Sequence, residues 1–130
     1  MTDAHRRAIN AMDAPQPVGG YAQAVELTGA QRLLFISGQI PVAADGSVPA
    51  GFKAQARQAW ANVESQLRAS DMGLDNLVKV TIFLADRAYG LENREIRREV
   101  FGDRQIALTV IITGIFDAAW LLEIEAVAAA

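Results

Sequence analysis

The clearest periodicity in the chain runs from Phe52 to about residue 70. Phe52, Ala56, Ala59, Trp60, Val63 and Leu67 recur at three- and four-residue spacing, the apolar stripe of a helix, and Gly73 supplies its stop. Gln55, Arg57, Gln58, Glu64 and Arg68 fall elsewhere on the wheel. On either side of this helix the period changes to two. "YAQAVELT" (21–28) alternates, with Tyr21, Gln23, Val25 and Leu27 on one face. The turn "GAQR" and the apolar "LLFIS" (33–37) follow at once, and so short a connection predicts a hairpin. "NLVKVTIFLAD" (76–86) is β-branched and aromatic, a strand with Val78, Val80, Ile82 and Leu84 facing one way.

"GLENREIRREVFG" (90–102) predicts a second helix with only a partial stripe: Leu91, Ile96 or Glu95, Val100 and Phe101. "IALTVIIT" (106–113) and "WLLEIEAVA" (120–128) are two further strands. Residues 1–16 read as an irregular N-terminal arm, closed by Pro15 and Pro17. The order β-β-α-β-α-β-β predicts an α+β fold in one domain spanning 1–130, with helices on one face of a mixed sheet. The last two strands carry apolar residues on both faces, and two helices leave one sheet face bare. A bare apolar face marks an interface, so the pattern predicts a homo-oligomer packed through it.

Composition narrows the choice of partners. Apolar residues make up 52% of the 130, enough for a core, and the net charge is −3. Arg6-Arg7 and the group Arg94, Arg97 and Arg98 are the only basic clusters, and Glu92, Glu95 and Glu99 dilute the second. Nucleic acid is therefore not an expected partner. The chain has no cysteine, which excludes disulfides and thiolate chemistry, and a single histidine, His5, in the polar N-terminal segment. A histidine metal site or a Ser-His-Asp triad is not expected. The N-terminus lacks the apolar core of a signal peptide, and "IALTVIITGIF" is too short to span a bilayer. The expectation is a cytoplasmic protein without a membrane partner.

Two features suggest chemistry. Glu123 and Glu125 stand two apart in a strand, so their side chains share a face roughly 7 Å apart. Carboxylates in so apolar a segment suit general acid–base work, or else a solvated sheet surface. In "LLFISGQIPV" (33–42) an apolar strand runs into Ser37, Gly38 and Gln39. Gly38 lets another group approach the backbone closely, so this is a binding tip or a capped strand end. Tyr21 after Gly19-Gly20 and Asn93 on the second helix have ordinary structural readings as well. Lys79 would serve a Schiff base only if desolvated.

Taken together, "GGYAQAV", "FISGQIPV", "QARQAWANVESQLRASDMGLDNLVKVTIFLAD", "ENREIRREVF" and "LLEIEAVA" resemble, in order and spacing, the RidA/YjgF family of reactive-intermediate deaminases. The likeness runs from about Pro15 to Ala128. It implies a chorismate-mutase-like fold and a homotrimer with a central barrel, with small molecules bound in clefts between subunits. It implies hydrolysis of imines and enamines to a carbonyl compound and ammonia, with no metal or cofactor. By position it implies Glu123 and Tyr21 as catalytic residues, and Gly38, Ser37, Asn93 and Thr109 as substrate contacts. The family's arginine, a fork for the substrate carboxylate, falls at Leu108 here, with Arg104 four residues before it. Leu108 predicts an altered substrate and a cleft that depends less on a carboxylate, unless Arg104 folds in. The alternative is a non-catalytic binding trimer of the same fold. A ribonuclease activity, sometimes attached to this family, fits poorly with the acidic charge and the lack of a histidine within the fold.

Overall fold

A computed structural model describes residues 5–130; the first four residues of the expected arm lie outside the described residues. Eight strands and helices follow in order: β1 (His5–Ile9), β2 (Ala24–Thr28), β3 (Leu33–Gln39), α1 (Phe52–Ala69), β4 (Leu77–Leu84), α2 (Gly90–Phe101), β5 (Ala107–Ile112) and β6 (Leu122–Ala129). Four strands form a mixed sheet in the order β3-β6-β4-β5, in which only β4 and β5 run parallel. The α+β architecture is as the patterning predicts.

Strand alternation sends Val80, Ile82, Leu84, Leu122, Ile124 and Ala126 to one face, where all six are buried. Helix α1 lies against this face through its stripe, and α2 packs on α1, with Phe101 edge-on to Trp60 at 6.1 Å. Val78 does not join that row. A bulge between Leu77 and Lys79 gives the buried position to Leu77.

Three expectations change. Residues 5–9 are a strand, not irregular arm: β1 pairs antiparallel with β2, His5 opposite Thr28 and Ile9 opposite Ala24. The guanidinium of Arg6 donates to the carbonyls of Asp75 (2.8 Å), Leu77 (2.7 Å) and Gln105 (2.9 Å), which ties this strand to the main sheet. Second, β2 and β3 do not form a hairpin. The backbone of Arg32 exchanges hydrogen bonds with Ala130 (2.9 and 3.0 Å), which draws β3 alongside β6. The segment before β2 instead bridges β5, Ala22 beside Ala107. Third, Gln55 is buried. It stands three residues from Phe52 and four from Ala59, so helical geometry puts it on the stripe despite its polarity. Its carboxamide donates to the carbonyls of Pro49 and Ala119 (both 3.1 Å) and accepts from the Leu121 amide (2.9 Å).

The sheet face away from the helices is mixed rather than apolar throughout. Lys79, Thr81, Phe83, Glu123, Glu125 and Val127 occupy it on the two central strands. Phe35 is 73% exposed there and Ile111 42%. Among the described residues, no helix is long and apolar enough to cross a membrane.

Candidate functional site

A cleft of about 610 Å³ opens at the β5 edge of the sheet, under the first half of α2. Its floor is the helix-side face of β5: Leu108, Val110 and Ile112, which pair with Val80, Ile82 and Leu84. Its roof comes from α2. The buried residues of that helix are Asn93, Ile96, Arg97 and Phe101. Their spacing is that of one helix face, and only the two apolar members enter the core. Asn93 and Arg97 line the cleft, while Leu91, expected on the apolar stripe, is 75% exposed. Half of the true stripe is polar, which is why the helix reads as only partly amphipathic.

The third wall is the segment before β2. Gly19 and Gly20 both have positive φ (102° and 78°), a conformation that side chains disfavour. This bend carries Tyr21 to the cleft and leaves Ala22 to donate to the Ile106 carbonyl at 3.0 Å. The Tyr21 ring centre lies 6.0 Å from the Arg97 guanidinium carbon. The guanidinium also reaches the Gly20 carbonyl at 3.4 Å, and its carbon lies 5.4 Å from the Phe101 ring centre.

Charge is concentrated here against the sign of the whole chain. Arg87, Arg94 and Arg97 line the cleft, and among the described residues no carboxylate does. Burial pushes Arg97 below the usual arginine value, and the nearby charges of Arg94 and Arg98 push the same way. Asn93, 4% exposed, makes no carboxamide hydrogen bond to another described residue.

Glu123 lies elsewhere. It pairs with Phe83, on the sheet face opposite the helices, and Glu125 shares that face opposite Thr81. The Glu123 side chain lies across Gly38. A bulge between Ile36 and Gln39 sets Ser37 and Gly38 out of regular pairing with β6, and the Gln39 side-chain carboxamide turns back to donate to the Ser37 carbonyl at 2.8 Å. The polar tip of β3 is thus a bulge that makes room for a carboxylate. Ser37 lines a trough with Phe35, Lys79, Thr81 and Glu125. Thr109 accepts a short hydrogen bond from Lys79, also away from the cleft. Burial pushes the Lys79 ammonium below its usual value, and Glu125 opposes that in part.

Within one chain, then, Tyr21, Asn93 and Leu108 come together, and Gly38 and Glu123 come together, on opposite sides of the sheet. Arg104 joins neither group. Its Nε holds the Asp75 carboxylate at 2.7 Å, and its Nη1 reaches the Val100 carbonyl at 3.2 Å. Sequence reasoning placed Arg97 only in a charge-diluted cluster. The signal was helical arithmetic: counting back four from Phe101 and again four reaches Arg97 and Asn93. Among the described residues no group of histidine, cysteine, aspartate or glutamate side chains is arranged to hold a metal ion.

The family model for "Endoribonuclease L-PSP" matches residues 11–130. A RutC family protein of Aquifex aeolicus is 37% identical over 120 residues, covering 92% of this chain and 94% of the relative. TdcF of Escherichia coli, described as a candidate reactive intermediate deaminase, is 31% identical over 101 residues, covering 77% and 76%. The crystal structure of TdcF with bound serine superposes with a TM-score of 0.71 at 28% identity, over 95% of this chain and 98% of that one. YyfB of Yersinia pestis, a Rid family protein of unknown function, gives a TM-score of 0.84 at 27% identity, over 96% and 98%.

Proposed function

The chain belongs to the endoribonuclease L-PSP family, with the RutC and Rid proteins, and from this premise we propose that it hydrolyses reactive imines and enamines to a carbonyl compound and ammonia. The observation that carries the reading is a division of labour across the sheet. The cleft with Tyr21, Asn93 and Arg97 binds a small molecule, and the Glu123 carboxylate lodged over Gly38 acts on it from a second copy of the chain. The two groups lie on opposite faces of one sheet, so a single copy does not unite them.

The chemistry needs little machinery. An imine carbon is already electrophilic. Glu123 holds a water and takes its proton as oxygen bonds to that carbon. The nitrogen gains that proton to give a carbinolamine; the hydroxyl proton then follows through the same carboxylate as the C=O bond forms and the C–N bond breaks, releasing ammonia. Tyr21 orients the nitrogen end of the substrate. Leu108, where an arginine would serve as a clamp from the β5 side, makes that wall apolar and changes which substrates fit.

The assembly proposed is a homotrimer closed through the sheet face that the helices leave uncovered. Phe35 and Ile111 on that face support it. Elution as a 14.0 kDa monomer at working concentration would sink both the trimer and the shared site.

A second reading, a non-catalytic binder, has one observation in its favour: among the described residues no carboxylate lines the cleft. One assay separates the two readings. An amino-acid oxidase generates imines in situ, a carboxylate-free imine is tested beside them, and decay is followed with wild type and Glu123→Gln. Hydrolysis that collapses in the variant supports the enzyme. No acceleration of either imine by wild type assigns the protein to binding.

A further inference from the structure

Arg97 has five donor hydrogens and almost nothing to give them to. It is 3% exposed, yet its one hydrogen bond among the described residues is the 3.4 Å contact to the Gly20 carbonyl. No ion pair involves it among the described residues. The ionisable groups that act on its charge are two further arginines, Arg94 and Arg98, and the Tyr21 phenol. A side chain at residue 19 would meet its Nη2 at 3.3 Å and Arg94 Nε at 3.8 Å, so both guanidinium groups border the same bend of backbone. The faces of Phe101 and Tyr21 lie 5.4 and 6.0 Å from the guanidinium carbon, and such contacts meet the charge of the group but not the N–H donors along its edge, which meet no carboxylate among the described residues.

We propose that the cleft takes a small molecule with one oxyanion group and an apolar body, the oxyanion on the fork of Arg97 and the apolar body against Leu108, Val110 and Ile112. The polarity of the site is thereby reversed across the cleft: the β5 wall is greasy, and the charge comes from α2. A planar guanidinium pairs with a carboxylate through two parallel hydrogen bonds, and a phosphate offers the same geometry. The volume of about 610 Å³ suits a ligand of metabolite size. Leu108 therefore does not remove anion recognition; it moves the anion to the opposite wall. The proposal rests on reading this cleft as the ligand site, but not on hydrolysis taking place there.

The test is calorimetric titration of the full chain with three probes: 4-methyl-2-oxopentanoate, the neutral ketone 4-methyl-2-pentanone, and inorganic phosphate as a competitor. The keto acid is expected to bind at least about tenfold more tightly than the ketone, and to lose about tenfold or more in Arg97→Met. Displacement by phosphate, or its failure, ranks the two oxyanions, and both results uphold the site. Equal binding of keto acid and ketone by wild type overturns the proposal, as does no binding of either. So does unchanged affinity in a folded Arg97→Met. Should that variant fail to fold, Arg97→Lys keeps the charge without the fork; it is expected to weaken the keto acid several-fold, and undiminished affinity overturns the proposal. A protein that prefers the keto acid through Arg97 yet hydrolyses no imine sinks the hydrolase reading alone.

Discussion

The side chain of Glu123 fills the space that a side chain at residue 38 would need. A Cβ built on Gly38 falls 2.7 Å from Glu123 Cδ and 3.0 Å from its Cγ. The glycine in the polar tip of β3 is thus required by a carboxylate on the neighbouring strand. Gly38→Ala must turn the whole carboxylate arm aside, since the clash extends beyond its flexible end. The expected cost is about 1–3 kcal/mol by denaturant unfolding, with loss of imine hydrolysis. Gly38→Ala combined with Glu123→Ala should cost less than the sum of the single changes, because the second removes what the first collides with. Strict additivity would mean that the contact is not felt.

Gln55 closes three backbone groups at the junction of α1 with the loops before it and before β6. In Gln55→Leu the Leu121 amide and the Pro49 and Ala119 carbonyls lose their partner. We expect a loss of about 1–3 kcal/mol and faster hydrogen exchange at Leu121. A variant as stable as wild type would show that water replaces the carboxamide.

Arg6 is the clamp of the N-terminal strand. Removing it in Arg6→Ala should release β1 before the rest of the fold. Amide exchange over residues 5–9 is expected to rise steeply, and global stability to fall by about 1–2 kcal/mol, as for loss of charge-assisted hydrogen bonds at a partly exposed site. Equal protection of residues 5–9 in both proteins would locate the clamp elsewhere.

Lys79 predicts a pH effect. Its value is lowered by burial, with Glu125 opposing, so the unfolded chain holds this proton to higher pH than the folded one. Between the folded value and the ordinary 10.5 the unfolded state binds more protons, and stability from this group rises with pH. Lys79→Met should lack that rise. The difference between the two stability–pH curves in the alkaline range measures it, and a flat difference would remove burial as the cause.

Phe35 tests the assembly. Exposed at 73% on the uncovered face, it should be covered by another copy. Phe35→Glu is expected to give monomers by light scattering and to abolish imine hydrolysis, since the cleft and Glu123 then no longer meet. Full-size assemblies of the variant would place the interface away from this residue.

The chain's periodicities determined the two helices, the strands that build the sheet, and which face of α1 is buried. They did so because alternation and helical spacing are local properties of side-chain direction. The same local rule, counted through polarity instead of around it, already contains Gln55, Asn93 and Arg97. Strand partners were not local. The four-residue turn at 29–32 looks like a hairpin, but pairing depends on which edge offers free backbone groups, and Ala130 claims Arg32 while β1 claims β2. Nor could spacing show that Tyr21 and Glu123 lie on opposite sides of one sheet, or that Arg104 is held by Asp75 while Arg97 lines the cleft with no carboxylate partner among the described residues. Those outcomes follow from which distant segments pack together, and only the tertiary structure sets the desolvation and the neighbours that give a charge its role.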